Sequence, residues 1–190
     1  EEPCPWQLWM HIYGNNELLS DAARANSPLF SEASLCETLF ALSNWAIVKM
    51  ERGQGVSIPG FARITWNLKG EIHRPLFFFD DAFLREHGIT PQIVKEESDP
   101  ASCDTLDFAD LARNYSEILS KEAAAAGVGR LFRRLGQVMG QGVQVLIDLG
   151  VGRVYSNNLE AFFVFDPRFC PGEPEFEGRR EAPPILVGRP

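Results

Sequence analysis

Two stretches of this chain follow one pattern, and this internal repeat limits the fold more than any other feature. Residues 53–64 (GQGVSIPGFARI) come directly after a stretch with helical periodicity, and so do residues 140–154 (GQGVQVLIDLGVGRV). In both, Gly-Gln-Gly ends the helix, an alternating apolar strand begins, and a glycine-containing turn leads into a return strand. The copies are 87 residues apart at the second glycine (55 and 142) and 90 at the return strand (64 and 154), which places about three extra residues in the second turn. A repeat of this size predicts two small domains.

The composition is that of a folded, acidic protein. The chain has 190 residues, of which 45% are hydrophobic, with 14 phenylalanines and 4 tryptophans. That length suits two domains of roughly 70 to 90 residues, and the apolar content favours packed cores over disorder. The net charge of −8 disfavours partners rich in phosphate, since nucleic acids and anionic membranes attract clustered Lys and Arg. We therefore expect neither nucleic acid nor membrane as a partner.

The cysteine pattern does not suggest a metal site. The four cysteines have no CxxC spacing, and zinc sites usually place two ligands close together in sequence. Reduced cytosolic thiols are the favoured interpretation and disulfides the alternative. No apolar run approaches the roughly 20 residues that cross a bilayer. The chain begins with Glu1 and ends in a proline-rich string, which is compatible with a fragment of a longer protein.

Changes in composition divide the chain into five parts. Each domain is expected to be α+β, with helices packed on a small three-stranded antiparallel sheet. A charged stretch ending in proline predicts the linker, and six prolines in the last 24 residues predict an extended tail. The parts are an aromatic N-terminal segment with a short helix (1–30), the first domain (31–95), the linker (96–104), the second domain (105–166) and the tail (167–190).

Capping signals mark the first domain. Ser34 and Glu37 form a capping-box pattern that predicts the start of a helix, and Gly53 suits a left-handed cap at its end. Asp80 or Asp81 is expected to cap a later short helix, rather than to act as a paired acid. A third strand is predicted at 72–79, and its run 76–79 (LFFF) is apolar on both faces, which suggests that the strand is covered on both sides.

The second domain has a similar order of elements. A short helix is predicted over 106–112, followed by a longer one capped by Ser116 or Ser120. The apolar stripe that includes Leu131 and Leu135 has helical spacing. Three strands are expected after this helix, at 143–148, 152–156 and 161–165.

The first copy resembles eukaryotic tandem HU-like proteins of centrosomes and cilia. Residues 49–61 (KMERGQGVSIPGF) are similar to the family's passage from helix into hairpin, and residues 74–79 (RPLFFF) to its third strand. Residues 83–89 fit the closing helix, and 131–154 resemble the second copy. The resemblance covers about 30–95 and 105–166 and implies two tandem HU/IHF-like domains.

The resemblance does not extend to DNA bending. Bacterial HU proteins insert long basic β-arms, tipped with proline, into the minor groove. Here the link between the second and third strands, 67–73, has one lysine and one glutamate, and the corresponding link at 156–160 has no basic residue. The fold is expected to be retained without this activity. Because HU domains pair, we also hypothesise that the two copies form an internal pair, with Val56 matching Val143 and Phe61 matching Leu149.

The sequence carries no pattern that predicts an enzyme. Dinucleotide and P-loop motifs run from strand through glycines to helix, whereas both Gly-Gln-Gly sites run from helix to strand. His87 precedes Gly88 at a predicted helix end, where a cation is favoured by the helix dipole. We expect no catalytic residue, no cofactor, no metal and no small-molecule substrate.

Residues of three regions are candidates for binding a partner. The aromatic N-terminal residues either pack on the first domain or dock on another protein. The arginines of the long second-domain helix form either a solvated face or a contact for an acidic surface such as tubulin. The candidates are Trp6, Trp9, Arg130, Arg133, Arg134, Pro171, Pro174, Pro183 and Pro184.

The expected function is that of a non-catalytic adaptor. The resemblance implies a structural protein of the cytoskeleton, in a ciliary axoneme or a centrosome, that binds other proteins of a microtubule assembly. The alternative is an HU-derived architectural protein that binds nucleic acid.

Overall fold

The computed structural model describes residues 12–23, 30–92 and 97–170 and has the expected α+β class. The first half contains α1 (Asn15–Ala23), α2 (Glu32–Glu51), β1 (Gly55–Ile58), β2 (Ala62–Asn67), β3 (Arg74–Phe79), α3 (Asp81–His87) and β4 (Thr90–Pro91). The second half contains β5 (Cys103–Thr105), α4 (Phe108–Asn114), α5 (Lys121–Met139), β6 (Val145–Asp148), β7 (Gly152–Asn157), β8 (Glu160–Phe165) and a 3-10 helix (Pro167–Phe169).

The two sheets exchange strands between the halves. Their strand orders are β3-β2-β1-β5 and β4-β8-β7-β6, so each antiparallel meander gains one strand from the other half. Both exchanged strands, β5 beside β1 and β4 beside β8, pair in parallel. The prediction of three-stranded antiparallel sheets was therefore wrong: the sheets are four-stranded and mixed. The added strands satisfy backbone groups that would otherwise be left unpaired at a sheet edge.

The halves are related position by position. Six residue pairs join β2 to β3 and six join β7 to β8, and each ladder ends at an asparagine, Asn67 or Asn157. Val56 pairs with Ile64 and Ile147 with Val154, so Val56 corresponds to Ile147 and not to Val143. By the same register Phe61 corresponds to Val151 rather than Leu149. The extra residues of the second copy therefore lie before β6, and not in the hairpin turn where the sequence analysis placed them.

One hydrophobic core is shared by both halves. Phe61, at the β1–β2 turn, stacks on Phe132 of α5 with ring centroids 3.9 Å apart. On the other side, the β6–β7 turn lies against α2, where a Cβ on Gly150 would stand 2.9 Å from Cδ1 of Ile47. Each hairpin thus packs on the long helix of the other half. The two halves therefore share an interface, as the hypothesis of an internal pair requires.

Most of the predicted caps are found. Gly53 has φ 73° after α2, Asp80 caps α3, Gly88 ends it in the left-handed region, and Ser120 caps α5. The start of α2 differs: Ser31, not Ser34, is the N-cap, and its side chain accepts a hydrogen bond from the backbone N–H of Ser34. The helix therefore begins about one turn earlier than predicted.

Three segments differ from the sequence-based expectation. β3 is an edge strand whose last five residues are half-buried, so it is not covered on both faces. The described part of the expected linker runs along the first sheet, where the N–H of Leu68 donates to Asp99 and that of Ala101 to Trp66. At the start of the expected tail, residues 167–169 form a 3-10 turn rather than an extended chain, and Phe169 is buried.

Candidate interaction surfaces

Arg134 joins the first helix to the last long one. Its Nη2 lies 3.0 Å from Oδ2 of Asp21 in α1, and Tyr13 donates a hydrogen bond of 3.1 Å to the same oxygen. Burial and the hydrogen bond to Asp21 raise the pKa of Tyr13 to about 12. The backbone of Tyr13 also pairs with β6, where its N–H donates to Gln144 and its carbonyl accepts from Leu146. Arg134 therefore helps to hold the N-terminal segment on the second sheet.

The three predicted arginines do not share one free face. Nε of Arg130 donates to the carbonyl of Ala22 at 3.0 Å, and its guanidinium lies 5.4 Å from the ring centroid of Phe30. Arg130 and Arg134 are thus both engaged with the N-terminal half, whereas Arg133 is exposed. Of the three arginines of α5, Arg133 is therefore the one that is exposed for contact with an acidic partner.

The predicted hairpin tips are short. The β2–β3 connection spans residues 68–73, and the β7–β8 connection consists of Asn158 and Leu159 alone. Both residues of the second turn have positive φ, 49° and 68°, as in the tight turns that suit a hairpin. Leu68 and Ile72 at the first tip are about half exposed. Neither hairpin extends into a long arm of the kind that enters a DNA groove.

Two exposed apolar side chains belong to α2 and to the connection between α4 and α5. Phe40 on α2 is 60% exposed and Ile118, between α4 and α5, is 72% exposed. Their segments are joined where Ser116 donates a 2.7 Å hydrogen bond to Glu37. The pattern of α2 gave a signal for this site, because Phe40 falls beside the apolar stripe rather than within it. No such signal marked Ile118.

A polar cleft of about 440 Å³ lies between α2 and the start of α4. Lys49 reaches across it to Asp104, with 2.9 Å between Nζ and Oδ2, and this hydrogen bond raises the pKa of the lysine. Asp107 caps α4, and Asp110 accepts from Asn114. These carboxylates are engaged in structural contacts. No cluster of three metal-ligating side chains occurs in the described residues.

His87 has a packing role rather than a free position at a helix end. Its ring meets Phe83 edge-on with centroids 5.0 Å apart, and it lies over Gly136 of α5. A Cβ at Gly136 would come within 2.2 Å of the imidazole ring. This contact ties α3 of the first half to the second half, which the sequence did not indicate.

The remaining predicted residues lie outside the part of the chain that the structure describes: Trp6, Trp9, Pro171, Pro174, Pro183 and Pro184. Among the helices that are described, none combines the length and the apolar character needed to span a bilayer. No protein-family model and no curated protein matches this chain.

Proposed function

We propose that this chain is a non-catalytic adaptor of a ciliary or centrosomal microtubule assembly, built from two HU-like domains. The observation that carries the proposal is the strand exchange between the halves, which closes them into one body around a shared core. The surface through which HU-like domains pair is thus occupied by the contact between the two halves of this chain. The other faces of the body are available to other proteins.

The HU-like part of the proposal has support from local geometry. Residues 49–61, which carry the resemblance, form the end of α2, a left-handed glycine and the first hairpin strand. Residues 74–79 form the third strand. Each half then follows the order of helices, three-stranded meander and short closing helix that the resemblance implies. The ciliary or centrosomal location rests on the resemblance alone.

The short hairpins favour protein over DNA as the partner. A grip on duplex DNA by β-arms needs cationic ribbons long enough to enter the groove, and phosphate contacts need clustered positive charge. Here the turns are short and the net charge is −8. Within residues 12–23, 30–92 and 97–170, the nucleic-acid alternative therefore has no feature that favours it.

A salt titration tests the two functions against each other. Fluorescence anisotropy with a labelled DNA duplex should show no saturable binding between about 50 and 200 mM salt, whereas an HU-like binder loses affinity steeply over that range. Micromolar or tighter binding with that salt dependence would replace the adaptor proposal by the architectural one.

Crosslinking mass spectrometry in ciliated cells tests the location and the partners. Crosslinks to axonemal or centrosomal proteins are expected. Arg133→Glu should weaken tubulin crosslinks if the exposed arginine meets an acidic surface, while Arg113→Glu, an exposed arginine on α4, is the matched control. A chain that crosslinks only to proteins outside microtubule assemblies would contradict the proposal.

A further inference from the structure

Two large apolar side chains, Phe40 of α2 and Ile118 of the α4–α5 connection, belong to one exposed surface. The hydroxyl of Ser116 donates a 2.7 Å hydrogen bond to Oε1 of Glu37, and the same hydroxyl oxygen accepts from the N–H of Ile118 at 3.2 Å. Glu37 lies one helical turn before Phe40. This link holds the two apolar side chains near each other, although they are 60% and 72% exposed.

The outward side of α2 extends this surface along the helix. Ala33, Cys36 and Phe40 are all exposed, and their spacing of three and four residues places them on one face. The side chain of a helical residue leans towards the preceding turn, so Phe40 leans towards Cys36. Cys36 is a free thiol, which packs like a small apolar group. We call the surface formed by Ala33, Cys36, Phe40 and Ile118 the Phe40 face.

The chain segments that form the Phe40 face are acidic. Residues 31–48 contain two glutamates and no Lys or Arg, and residues 115–120 contain Glu117 and no Lys or Arg. The nearest cations along the chain are Lys49, which is held in an ion pair, and Lys121. An apolar centre flanked by three carboxylates is complementary to a partner that combines apolar and cationic side chains.

The backbone around the Phe40 face favours a helix as the bound element. An extended peptide that adds to a protein needs free backbone groups beside it. Here the backbone groups within α2 bond to each other, and the N–H groups of Ile118 and Leu119 are occupied by the hydroxyl oxygen of Ser116. A partner on this face therefore has to satisfy its own backbone groups, as an α-helix does.

The charge of the chain disfavours a second copy as the occupant. A symmetric pair through the Phe40 face would bring its three glutamates close to the same three glutamates of the other chain. Like charges facing each other across an interface oppose association, and the net charge of −8 adds to this repulsion. The observations therefore point to a different, cationic protein.

We propose that the Phe40 face binds a basic amphipathic helix of another protein. The apolar side of that helix covers Phe40 and Ile118, and its Lys or Arg side chains meet the flanking glutamates. The inference rests on the proposed adaptor function, because it assumes that the chain binds proteins. It does not depend on a ciliary or centrosomal location.

A synthetic helix tests the proposal on the full chain. The probe is a fluorescein-labelled peptide of about 18 residues, or roughly five turns, with leucines on one face and lysines on the other. Fluorescence anisotropy should show saturable binding with a Kd on the order of 10 μM. The same peptide with glutamate in place of every lysine should not bind. In NMR spectra of the chain, the lysine peptide should shift the amide signals of Cys36, Phe40 and Ile118.

Paired variants locate the binding on this face. Phe40→Ser should weaken binding about 10-fold, because it removes the apolar centre. Ile72→Ser is the matched control, since Ile72 is 53% exposed at the β2–β3 connection, and it should leave the Kd unchanged. Glu117→Lys should weaken binding at least ~3-fold, whereas Glu71→Lys, another exposed glutamate, should not. Far-UV circular dichroism should be the same for all variants.

Each outcome supports or overturns the assignment. Binding that is lost in Phe40→Ser and Glu117→Lys but kept in their controls supports it. Binding that is equal in all variants is a general attraction to an acidic chain, and it overturns the proposal, as does the absence of saturable binding up to ~1 mM peptide. Self-association that disappears in Phe40→Ser would make a second copy the occupant and would overturn it too. A negative result leaves the adaptor function to the DNA titration and the crosslinking.

Discussion

Phe77 and Phe163 stack face to face across the two sheets, with ring centroids 4.2 Å apart and an interplanar angle of 5°. They occupy the same register position, since Phe77 pairs with Ile64 and Phe163 with Val154. A contact between equivalent residues marks a pseudo-two-fold axis, as at the centre of a symmetric dimer. The two copies thus meet each other through the same surface.

Truncating this pair should reveal an interaction between the halves. Phe77→Ala and Phe163→Ala are each expected to lower the free energy of unfolding by about 2 kcal/mol, because both rings are half-buried. The double variant should lose less than the sum by ~0.5 to 1.5 kcal/mol, the coupling typical of an aromatic pair. Urea unfolding of the four chains measures this coupling. Phe77→Ala combined with Phe162→Ala, whose ring stacks on Tyr155, is the control and should be additive.

Two glycines of α5 should respond in opposite directions to alanine. A Cβ on Gly127 would stand 2.6 Å from Oγ1 of Thr38, at the close approach of α2 and α5, whereas nothing lies within 4 Å of one on Gly129. Gly127→Ala should destabilise the protein by about 1 to 3 kcal/mol through overpacking. Gly129→Ala should stabilise it by up to ~1 kcal/mol, since alanine is the better helix former. Thermal melts decide this, and a Gly127→Ala protein as stable as the parent would contradict the close approach of the helices.

The local elements were predictable, and the exchange of strands was not. Caps at Asp80 and Ser120 follow from side chains that bond to nearby backbone, so the sequence carries them directly. β4 and β5 are two and three residues long, and such short segments show no strand periodicity. Their conformation comes from the edge that they cover, which lies far away in sequence.

The arginine surface shows the same limit at the candidate site. Helical spacing placed Arg130, Arg133 and Arg134 on the polar side of α5, and all three are outside its buried stripe. Helical spacing could not show that α1 covers two of these arginines. Arg134 contacts Asp21 and Arg130 contacts Ala22, and in each pair the two residues are more than 100 positions apart in the sequence. The position of β3 at the end of its sheet, among the strands that the structure describes, was not predicted; the run of phenylalanines indicated only a strand covered on both faces.

Stability should fall at alkaline pH through Tyr13. Its pKa is about 12 in the folded chain against 10.0 for the unperturbed side chain, because burial and Asp21 disfavour the phenolate. The contribution of Tyr13 is fully present below pH 10 and is lost as the pH rises towards 12, since the unfolded chain ionises first. The loss is at most roughly 2 to 3 kcal/mol by the usual 1.36 kcal/mol per unit. Urea unfolding at pH 9 and 11.5 measures it. Tyr13→Phe, which cannot ionise, should show a smaller decrease, and identical decreases in the two proteins would exclude this role.

The shared core predicts that neither half unfolds alone. Ile147 is fully buried in β6, and replacing it by alanine should cost about 2 to 5 kcal/mol. Because β5 belongs to the first sheet and β4 to the second, this loss should reach the first half. In a Trp6→Phe/Trp9→Phe background the tryptophan fluorescence reports on Trp45 and Trp66, both in the first half. We expect Ile147→Ala to lower the urea midpoint of that signal as much as the midpoint followed by far-UV circular dichroism. If the fluorescence midpoint stayed in place while the dichroism signal split into two transitions, the halves would be independent domains and the exchanged strands would contribute little to their coupling.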